Sequence, residues 1–237
     1  MSTTLRRLLQ PGPDLDLTAE DADARILDVY SPAPGLRLNL VAGIGGAAGD
    51  GDGVSDGLSD PVDRRILRLL RTMADAVLVG ARTVRAEGYR MPRTAALAVL
   101  TASGDLSGHR LEAAEPGRLL ILTTATGAPR LRDLAAELGA EVLALPERDG
   151  AVRLDAALDA LRERGHEHVL CEGGPGLAGA LLDLDVVDEL CLTTSPLAGG
   201  AALPVLGSGG GTARSMRLES LLSDDRSALY ARWRRAR

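Results

Sequence analysis

The chain has 237 residues, a hydrophobic content of 45% and a formal net charge of −6. This apolar content can supply a sizeable core, which excludes disorder over the whole length. The negative charge argues against a general nucleic-acid-binding protein, and no apolar run reaches the roughly 18 residues that would span a membrane.

The N-terminal stretch becomes polar too soon for a secretory signal, so we expect a cytoplasmic protein without nucleic-acid or membrane partners. Residues 1–35 are rich in Pro, Asp and Leu and are interpreted as an extension packed on a main domain of residues 36–237. The first core strand is predicted at 36–44, and Asp60 followed by Pro61 marks the start of a helix. Further strands are predicted at 75–80, 95–101, 118–124 and 140–144, a strand with its turn at 168–174, and helices at 82–88, 129–138, 152–164 and 176–184.

Strands that alternate with helices indicate a mainly parallel central sheet. The C-terminal segments 187–198, 216–220 and 227–235 are predicted as strands in succession, which favours an antiparallel edge. No sequence period repeats and no linker divides the chain. The sequence therefore predicts a single α/β domain.

A glycine-rich stretch, "LCEGGPGLAGALL" at 170–182, contains G-x-G-x-x-G at Gly174, Gly176 and Gly179. Glycines let the backbone approach a ligand closely, and the amides of Gly174, Gly176 and Leu177 are predicted to face an anion such as a pyrophosphate. The alternative is an ordinary tight turn between strand and helix. A Rossmann fold would need a carboxylate at the tip of the next strand, where "TTSP" at 193–196 has none, so that fold is not favoured.

The cysteines and basic residues favour structural interpretations. Cys171 and Cys191 lie in apolar strand-like runs and are expected to be reduced and buried. A zinc site is not expected, because there is no C-x-x-C pair and the histidines have no ligand-like partners. A basic stripe at helical spacing is interpreted as a solvated face; its members are Arg64, Arg65, Arg68 and Arg71.

Three segments together resemble the reductase domain of the bifunctional riboflavin-biosynthesis deaminase–reductase. They are "LRLNLVAGIGG", "ADAVLVGARTVRAEGY" and "VLCEGGPGLAGALLDLDVVDELCLTTSPLAGG", and the resemblance spans about residues 36–235. It implies a dihydrofolate-reductase-like fold, with helices on both faces of the sheet. It also implies a reductase that passes hydride from NADPH to an aminopyrimidine ribosyl phosphate, opening the sugar to a ribityl chain. The deaminase half is missing, since no H-x-E with P-C-x-x-C occurs.

The resemblance assigns most of its residues to the cofactor. It places the E-G-G-P loop along the cofactor pyrophosphate, a second glycine turn on its other side, a wall beside the adenosine after the third strand, and the nicotinamide at the end of the first strand. The cofactor-binding residues so implied are Ala42, Gly80, Ala81, Arg82, Thr83, Thr101, Ser103, Gly173, Gly174, Gly176 and Leu177. Two helix N-termini, near Gly80 and Gly174, would then clamp one dinucleotide between them.

The substrate side departs from the family pattern. The aspartate of the family's S-L-D-G is replaced by Gly45, and a lysine of the first strand is replaced by Asn39. Arg85 and Arg90 remain candidates for binding an anionic substrate. Loop aspartates are predicted to be solvated, although one of them could close over the site; these are Asp50, Asp52 and Asp56.

Glu172 ends a strand beside the expected cofactor and has two interpretations. Desolvation would raise its pKa and suit it to proton donation, or it caps local amides. NADPH is favoured over NADH because Arg82 stands where the family often has glycine. The other hypotheses are a dihydrofolate-type reductase, a dinucleotide-binding protein that has lost catalysis, and an interaction subunit. We also expect a homodimer.

Overall fold

A computed structural model describes residues 2–31, 33–49, 55–199, 203–207 and 213–236. Its strands are Thr4–Arg7 (β1), Leu15–Asp16 (β2), Gly35–Gly43 (β3), Ala76–Gly80 (β4), Ala96–Leu100 (β5), Leu119–Thr124 (β6), Glu141–Leu145 (β7), Glu147–Arg148 (β8), Ala151–Val152 (β9), His168–Cys171 (β10), Val187–Ser195 (β11), Met216–Ser223 (β12) and Leu229–Arg235 (β13). Its α-helices are Ala22–Val29 (α1), Pro61–Thr72 (α2), Ala81–Glu87 (α3), Arg132–Leu138 (α4), Leu154–Arg162 (α5) and Pro175–Asp183 (α6). A turn of 3-10 helix at Ala128–Leu131 precedes α4.

Within the described residues, eleven strands form one sheet in the order β2-β1-β12-β13-β11-β3-β10-β4-β5-β6-β7. The run from β11 to β7 is parallel. The strands from β13 to β2 pair antiparallel and form the other end of the sheet. The predicted parallel centre and antiparallel C-terminal edge are confirmed.

The two faces of the sheet carry separate hydrophobic cores because side chains alternate along each strand. In β4, Val77 and Val79 enter one core, and Ala76 and Leu78 enter the other. Most buried residues of α1 to α4 belong to the first core, whereas most of those of α5 and α6 belong to the second. The expectation of helices on both faces is confirmed.

Several helix ends are formed by capping side chains and by glycines. The Asp60 side chain accepts a hydrogen bond from the backbone N–H of Asp63 at 2.8 Å and so caps α2, with Pro61 as its first residue. Gly88 and Gly139 end α3 and α4 in the left-handed conformation that glycine adopts without strain. Among the described helices, none has the length and hydropathy needed to traverse a bilayer.

The N-terminal residues contribute a strand to the main sheet as well as packing on it. Strand β1 hydrogen-bonds to β12 and so extends the main sheet. Helix α1 ends against a buried ion-pair network, in which Arg37 donates to the carbonyl of Tyr30 at 2.9 Å and Arg232 to that of Val29 at 2.9 Å. The boundary predicted at residue 35 therefore lies at the start of β3, within one continuous sheet.

Candidate active site

The main cavity lies at the carboxyl ends of the neighbouring parallel strands β3, β10 and β4. The helix after β4 packs on one face of the sheet and the helix after β10 on the other, which opens a crevice between the two connections. The cavity has a volume of about 420 Å³, in the range of small-molecule sites. Eight of the residues singled out in the sequence line it: Asn39, Gly80, Arg82, Thr83, Glu172, Gly174, Gly176 and Leu177.

The two glycine turns lie side by side and are bonded to each other. The backbone N–H of Gly80 donates to the carbonyl of Gly173 at 3.0 Å, and that of Gly174 donates to the Thr83 hydroxyl at 3.0 Å. The Gly173–Gly174 peptide is cis. The prediction of a free Gly174 amide is therefore wrong, because Thr83 already accepts its hydrogen. The two turns form one continuous wall of the cavity.

The first turn of α6 is the part of this wall that fits a phosphate group. Gly174 is the N-cap, Pro175 the first helical residue and Gly176 the second, so the early amides of the helix face outward from its N-terminus. A Cβ added to Gly176 would meet no atom within 4 Å, and the residue is exposed. This open space beside a helix N-terminus that borders the cavity is compatible with a bound pyrophosphate.

Glu172 is held by two side chains that are not among the site residues predicted from the sequence. Its carboxylate accepts hydrogen bonds from Arg71 Nε at 2.7 Å and Arg71 Nη2 at 2.6 Å, and from the hydroxyl of Tyr89. The Arg71 guanidinium also lies 5.1 Å from the centre of the Tyr89 ring. Burial acts to lower the pKa of Arg71, but its hydrogen bonds to Glu172 outweigh this effect and raise the pKa. Burial, followed by the charge of Glu172, raises the pKa of Tyr89.

This arrangement bears on the two interpretations of Glu172. A carboxylate whose two oxygens both bind one guanidinium is fixed in position, and this geometry favours an anchoring role over proton donation. The anchor differs from the amide cap considered in the sequence, since its partners are side chains of α2 and of the segment after α3. Proton donation by Glu172 stays a prediction that the geometry does not favour.

Arg71 belongs to the basic stripe of α2, and for this residue the interpretation as part of a solvated face is wrong. Residues four apart lie on one face of a helix, and Asp63 and Leu67 of α2 line the cavity at that spacing, as does Ser59 just before the helix. Arg71 continues the same row and reaches Glu172. Arg64 and Arg68, one position further round the helix, are exposed as expected. The signal that could have identified Arg71 was this spacing from Asp63 and Leu67.

The cavity is also lined by Asn39 of β3 and by three side chains with hydroxyl or carboxyl groups. Ser55 and Ser59 precede α2, and Asp63 lies in its first turn. Asp63 is 5% exposed, and its burial raises the pKa of its carboxyl group. Among the loop aspartates, Asp56 is exposed and pairs with Arg64 at 2.9 Å, as predicted for a solvated residue. Asp50 and Asp52 lie outside the described residues.

Seven predicted residues do not line this cavity, and their roles stay predictions. Ala42 and Ala81 are buried, and Gly173 lies behind the wall formed by Gly174. Thr101 accepts a hydrogen bond from the backbone N–H of Gly104, and Ser103 is exposed. Arg85 donates to the carbonyl of Asp105 at 2.6 Å, because it lies off the face of α3 that carries Arg82 and Thr83. Arg90 is exposed.

The cysteines confirm the structural interpretation. Both are free thiols and both are buried. Burial raises the pKa of Cys171 to about 12 and that of Cys191 to about 12. Neither thiol is therefore a nucleophile at neutral pH.

Known proteins of similar sequence and structure agree with this architecture. The riboflavin biosynthesis protein RibD of Mycobacterium tuberculosis is 29% identical over 165 residues, covering 69% of this chain and 42% of that protein. The 2,5-diamino-6-ribosylamino-4(3H)-pyrimidinone 5′-phosphate reductase of Archaeoglobus fulgidus is 26% identical over 205 residues, covering 79% of this chain and 92% of that protein. The chain thus spans less than half the length of the mycobacterial relative and most of the archaeal one.

A crystal structure of a pyrimidine reductase-like protein from Corynebacterium diphtheriae has a TM-score of 0.73 and 26% identity, covering 90% of this chain and 98% of that one. The fold is dihydrofolate-reductase-like, as the resemblance implied. The model of the RibD C-terminal domain matches residues 34–230, which is most of the sequence. The chain therefore belongs to the RibD C-terminal domain family.

Proposed function

We propose that the chain is a reductase that uses NADPH to reduce an aminopyrimidine ribosyl phosphate. The observation that carries the proposal is the continuous wall formed by the two glycine turns on a cavity of about 420 Å³. Family membership and the name of the archaeal relative support the reaction class and the substrate class. The substrate is a phosphorylated ribosylaminopyrimidine, such as 5-amino-6-(5-phosphoribosylamino)uracil.

The residues of this chain bind and orient the reactants. The first turn of α6 would hold the cofactor phosphates, because its unpaired amides and dipole favour negative charge. The bound cofactor would supply hydride to the substrate. The Arg71–Glu172–Tyr89 group fixes the end of β10 and so sets the position of the wall on which that cofactor would rest. Placement of this kind accounts for much of the rate in hydride transfer.

Preference for NADPH over NADH depends on Arg82, which lines the cavity and is exposed. A guanidinium is suited to the additional phosphate of NADPH because it pairs with phosphate oxygens in two-pronged geometry. We expect Arg82→Gln to weaken NADPH binding by about tenfold, because it removes one charge-assisted hydrogen bond that contributes roughly 1.5 kcal/mol. NADH binding should stay unchanged.

Titration calorimetry of the two cofactors measures this difference, and Arg68→Gln on the exposed face of α2 is the matched control. Equal loss of NADPH and NADH affinity would show that Arg82 supports the site without selecting the cofactor.

The reaction itself is tested by following NADPH consumption with the aminopyrimidine ribosyl phosphate and, separately, with dihydrofolate. We expect turnover of the first substrate. Turnover of dihydrofolate alone would reassign the substrate within the same fold. NADPH binding, seen as a rise in melting temperature, without turnover of either would favour the loss of catalysis instead.

The loss of catalysis has one observation in its favour, the glycine at position 45 in place of an aspartate. A Cβ at Gly45 would meet no atom within 4 Å, so the carboxylate can be restored without a clash. If catalysis has been lost, Gly45→Asp should create measurable NADPH consumption from an inactive chain. If the chain is active, as we propose, the substitution should change kcat by less than about tenfold. Steady-state kinetics of the two proteins distinguishes these cases.

We also propose a homodimer located in the cytoplasm. The proposal rests on the apolar strands β11 and β13; each has a neighbouring strand on both sides, so a second copy would pack on a face of the sheet. Analytical ultracentrifugation tests the assembly: sedimentation as a monomer at micromolar concentration would contradict it.

A further inference from the structure

We infer that Asp63, at the start of α2, supplies the acidic group that faces the substrate in this cavity. It would replace the aspartate that the family has at the position of Gly45. This inference rests on the proposed function. It assigns to Asp63 the delivery of a proton to the sugar-ring oxygen of the substrate.

The position of Asp63 on α2 carries the first part of the argument. Asp63 and Leu67 lie four residues apart on one face of the helix, and both line the same cavity as Asn39 and as Ser59, which precedes the helix. The side chain is nearly excluded from water, with the residue 5% exposed. Its backbone N–H is used by the Asp60 cap, so the helix start does not depend on the Asp63 carboxyl group. A buried carboxyl group that is dispensable for the cap and borders a cavity is available for a ligand.

The partners of Asp63 carry the second part. The hydroxyl of Ser59 donates to Asp63 Oδ2 at 2.5 Å, and the hydroxyl of Thr193 on β11 also bonds to the side chain. A hydroxyl can donate to a carboxylate or accept from a carboxylic acid, so both neighbours serve either protonation state. Glu172 differs, because it is ion-paired with Arg71. Across the described residues, no arginine or histidine nitrogen forms a salt bridge with Asp63; Arg64, the next residue, pairs with Asp56.

The surroundings of Asp63 raise its pKa on balance. Burial is the largest effect and raises the pKa, the hydrogen bonds of Ser59 and Thr193 lower it, and the charge of the neighbouring Asp60 raises it. Arg64 on the same helix opposes this shift. Tyr30 at the end of α1 and Tyr230 on β13 also interact with its charge. The cavity thus has two carboxyl groups in different environments: Glu172 is ion-paired, and Asp63 is buried without a cationic partner. Such a difference in environment commonly gives two carboxyl groups different acid–base roles.

The step assigned to Asp63 is balanced without any redox change. In the aminopyrimidine ribosyl phosphate, the C1′–O4′ bond breaks and its electron pair moves to O4′, which takes the proton of the Asp63 carboxyl group. The lone pair of the glycosidic nitrogen forms the second bond of a C1′=N iminium ion. The carboxylate left at Asp63 stabilises this cation and regains a proton from water. An iminium ion is the group that a hydride donor reduces.

The experiment uses the chain without nicotinamide cofactor and supplies sodium cyanoborohydride, which reduces iminium ions. The wild-type chain should accelerate formation of the ribityl product over the uncatalysed rate, measured by mass spectrometry. Asp63→Asn should lower this acceleration by roughly a hundredfold or more, the usual effect of a general acid. Asp56→Asn, which changes a solvated carboxyl group in the segment before α2, is the matched control and should match the wild type. Asp63→Glu should recover part of the rate.

Two further measurements keep the outcome clear. NADPH affinity of Asp63→Asn should equal that of the wild type, and its melting temperature should not fall, whereas a purely structural Asp63 would lower it. If Asp63→Asn does not fold, the pH dependence of the wild-type chain provides the test. Its rate of cyanoborohydride reduction, after subtraction of the uncatalysed rate, must decrease as rising pH deprotonates Asp63. Acceleration by Asp63→Asn equal to the wild type, or a pH-independent wild-type rate, overturns the inference alone. A wild-type chain that neither binds NADPH nor turns over the substrate overturns the proposed function as well.

Discussion

Replacement of Gly176 by aspartate should weaken NADPH binding by roughly a hundredfold or more, because unit charges 4 Å apart repel by about 4 kcal/mol at an effective dielectric of ~20. Gly176 is the second residue of α6 and borders the cavity, with open space at its Cβ position. The new carboxylate would stand where the proposal places the cofactor phosphates. The fold should be retained, since an acidic residue in the first turn interacts favourably with the helix dipole by about 0.3–1 kcal/mol.

Gly176→Asn is the matched control, because asparagine has the same shape as aspartate and no charge. We expect it to weaken NADPH binding by about tenfold at most, through loss of space alone. Titration calorimetry gives the affinities, and thermal melting gives the stabilities. If aspartate and asparagine weaken binding equally, the effect is steric and the phosphates do not lie at this helix terminus.

The sequence predicts the strands and turns of this fold well because each depends on local chemistry. Buried parallel strands are short apolar runs, and the predicted strand at 118–124 differs from β6 by one residue. The glycine turn after β10 was visible because close backbone approach requires glycine, and the structure places the carbonyl of Gly173 against the amide of Gly80.

The features that the sequence did not predict depend on contacts between distant residues. Strand β1 is four residues long, and only its pairing with β12, more than 200 positions later, makes it part of the sheet. The Arg71–Glu172 pair joins residues 101 positions apart. The burial of Asp63 also involves a distant residue, since the hydroxyl of Thr193 on β11 bonds to its side chain. Local pattern fixes which face of a helix is apolar, but not which polar residue at the border of that face enters a cavity.

A buried ion-pair network holds together the elements behind the site. Glu189 on β11 accepts hydrogen bonds from Arg37 on β3 at 2.8 Å and from Arg232 on β13 at 2.6 Å. Its side chain is 3% exposed. The same two arginines donate to carbonyl groups at the end of α1, so the network also holds the N-terminal residues against the sheet. Strand β3, which it fixes, carries Asn39 into the cavity.

Glu189→Gln should lower the free energy of unfolding by about 3–5 kcal/mol, because it leaves two buried guanidinium groups without their counter-charge. Total stabilities are commonly about 5–15 kcal/mol, so this is a large fraction of the whole. Urea denaturation followed by circular dichroism measures the change. The matched control is Glu141→Gln, which removes an exposed partner of Arg164 and should cost about 0–1 kcal/mol.

The same network predicts a pH dependence of stability. Burial acts to raise the pKa of Glu189, but the hydrogen bond from Arg232 and the charges of Arg37 and Arg232 outweigh it and hold the pKa below its ordinary value of 4.5. Because the folded-state pKa is the lower one, the contribution of Glu189 is fully present above its unfolded-state pKa and is lost as pH falls through the folded-state pKa. The wild type should therefore lose stability more steeply than Glu189→Gln as pH falls below about 4.5. Parallel curves for the two proteins, or a loss in Glu189→Gln no larger than that in Glu141→Gln, would show that the network contributes little to the fold.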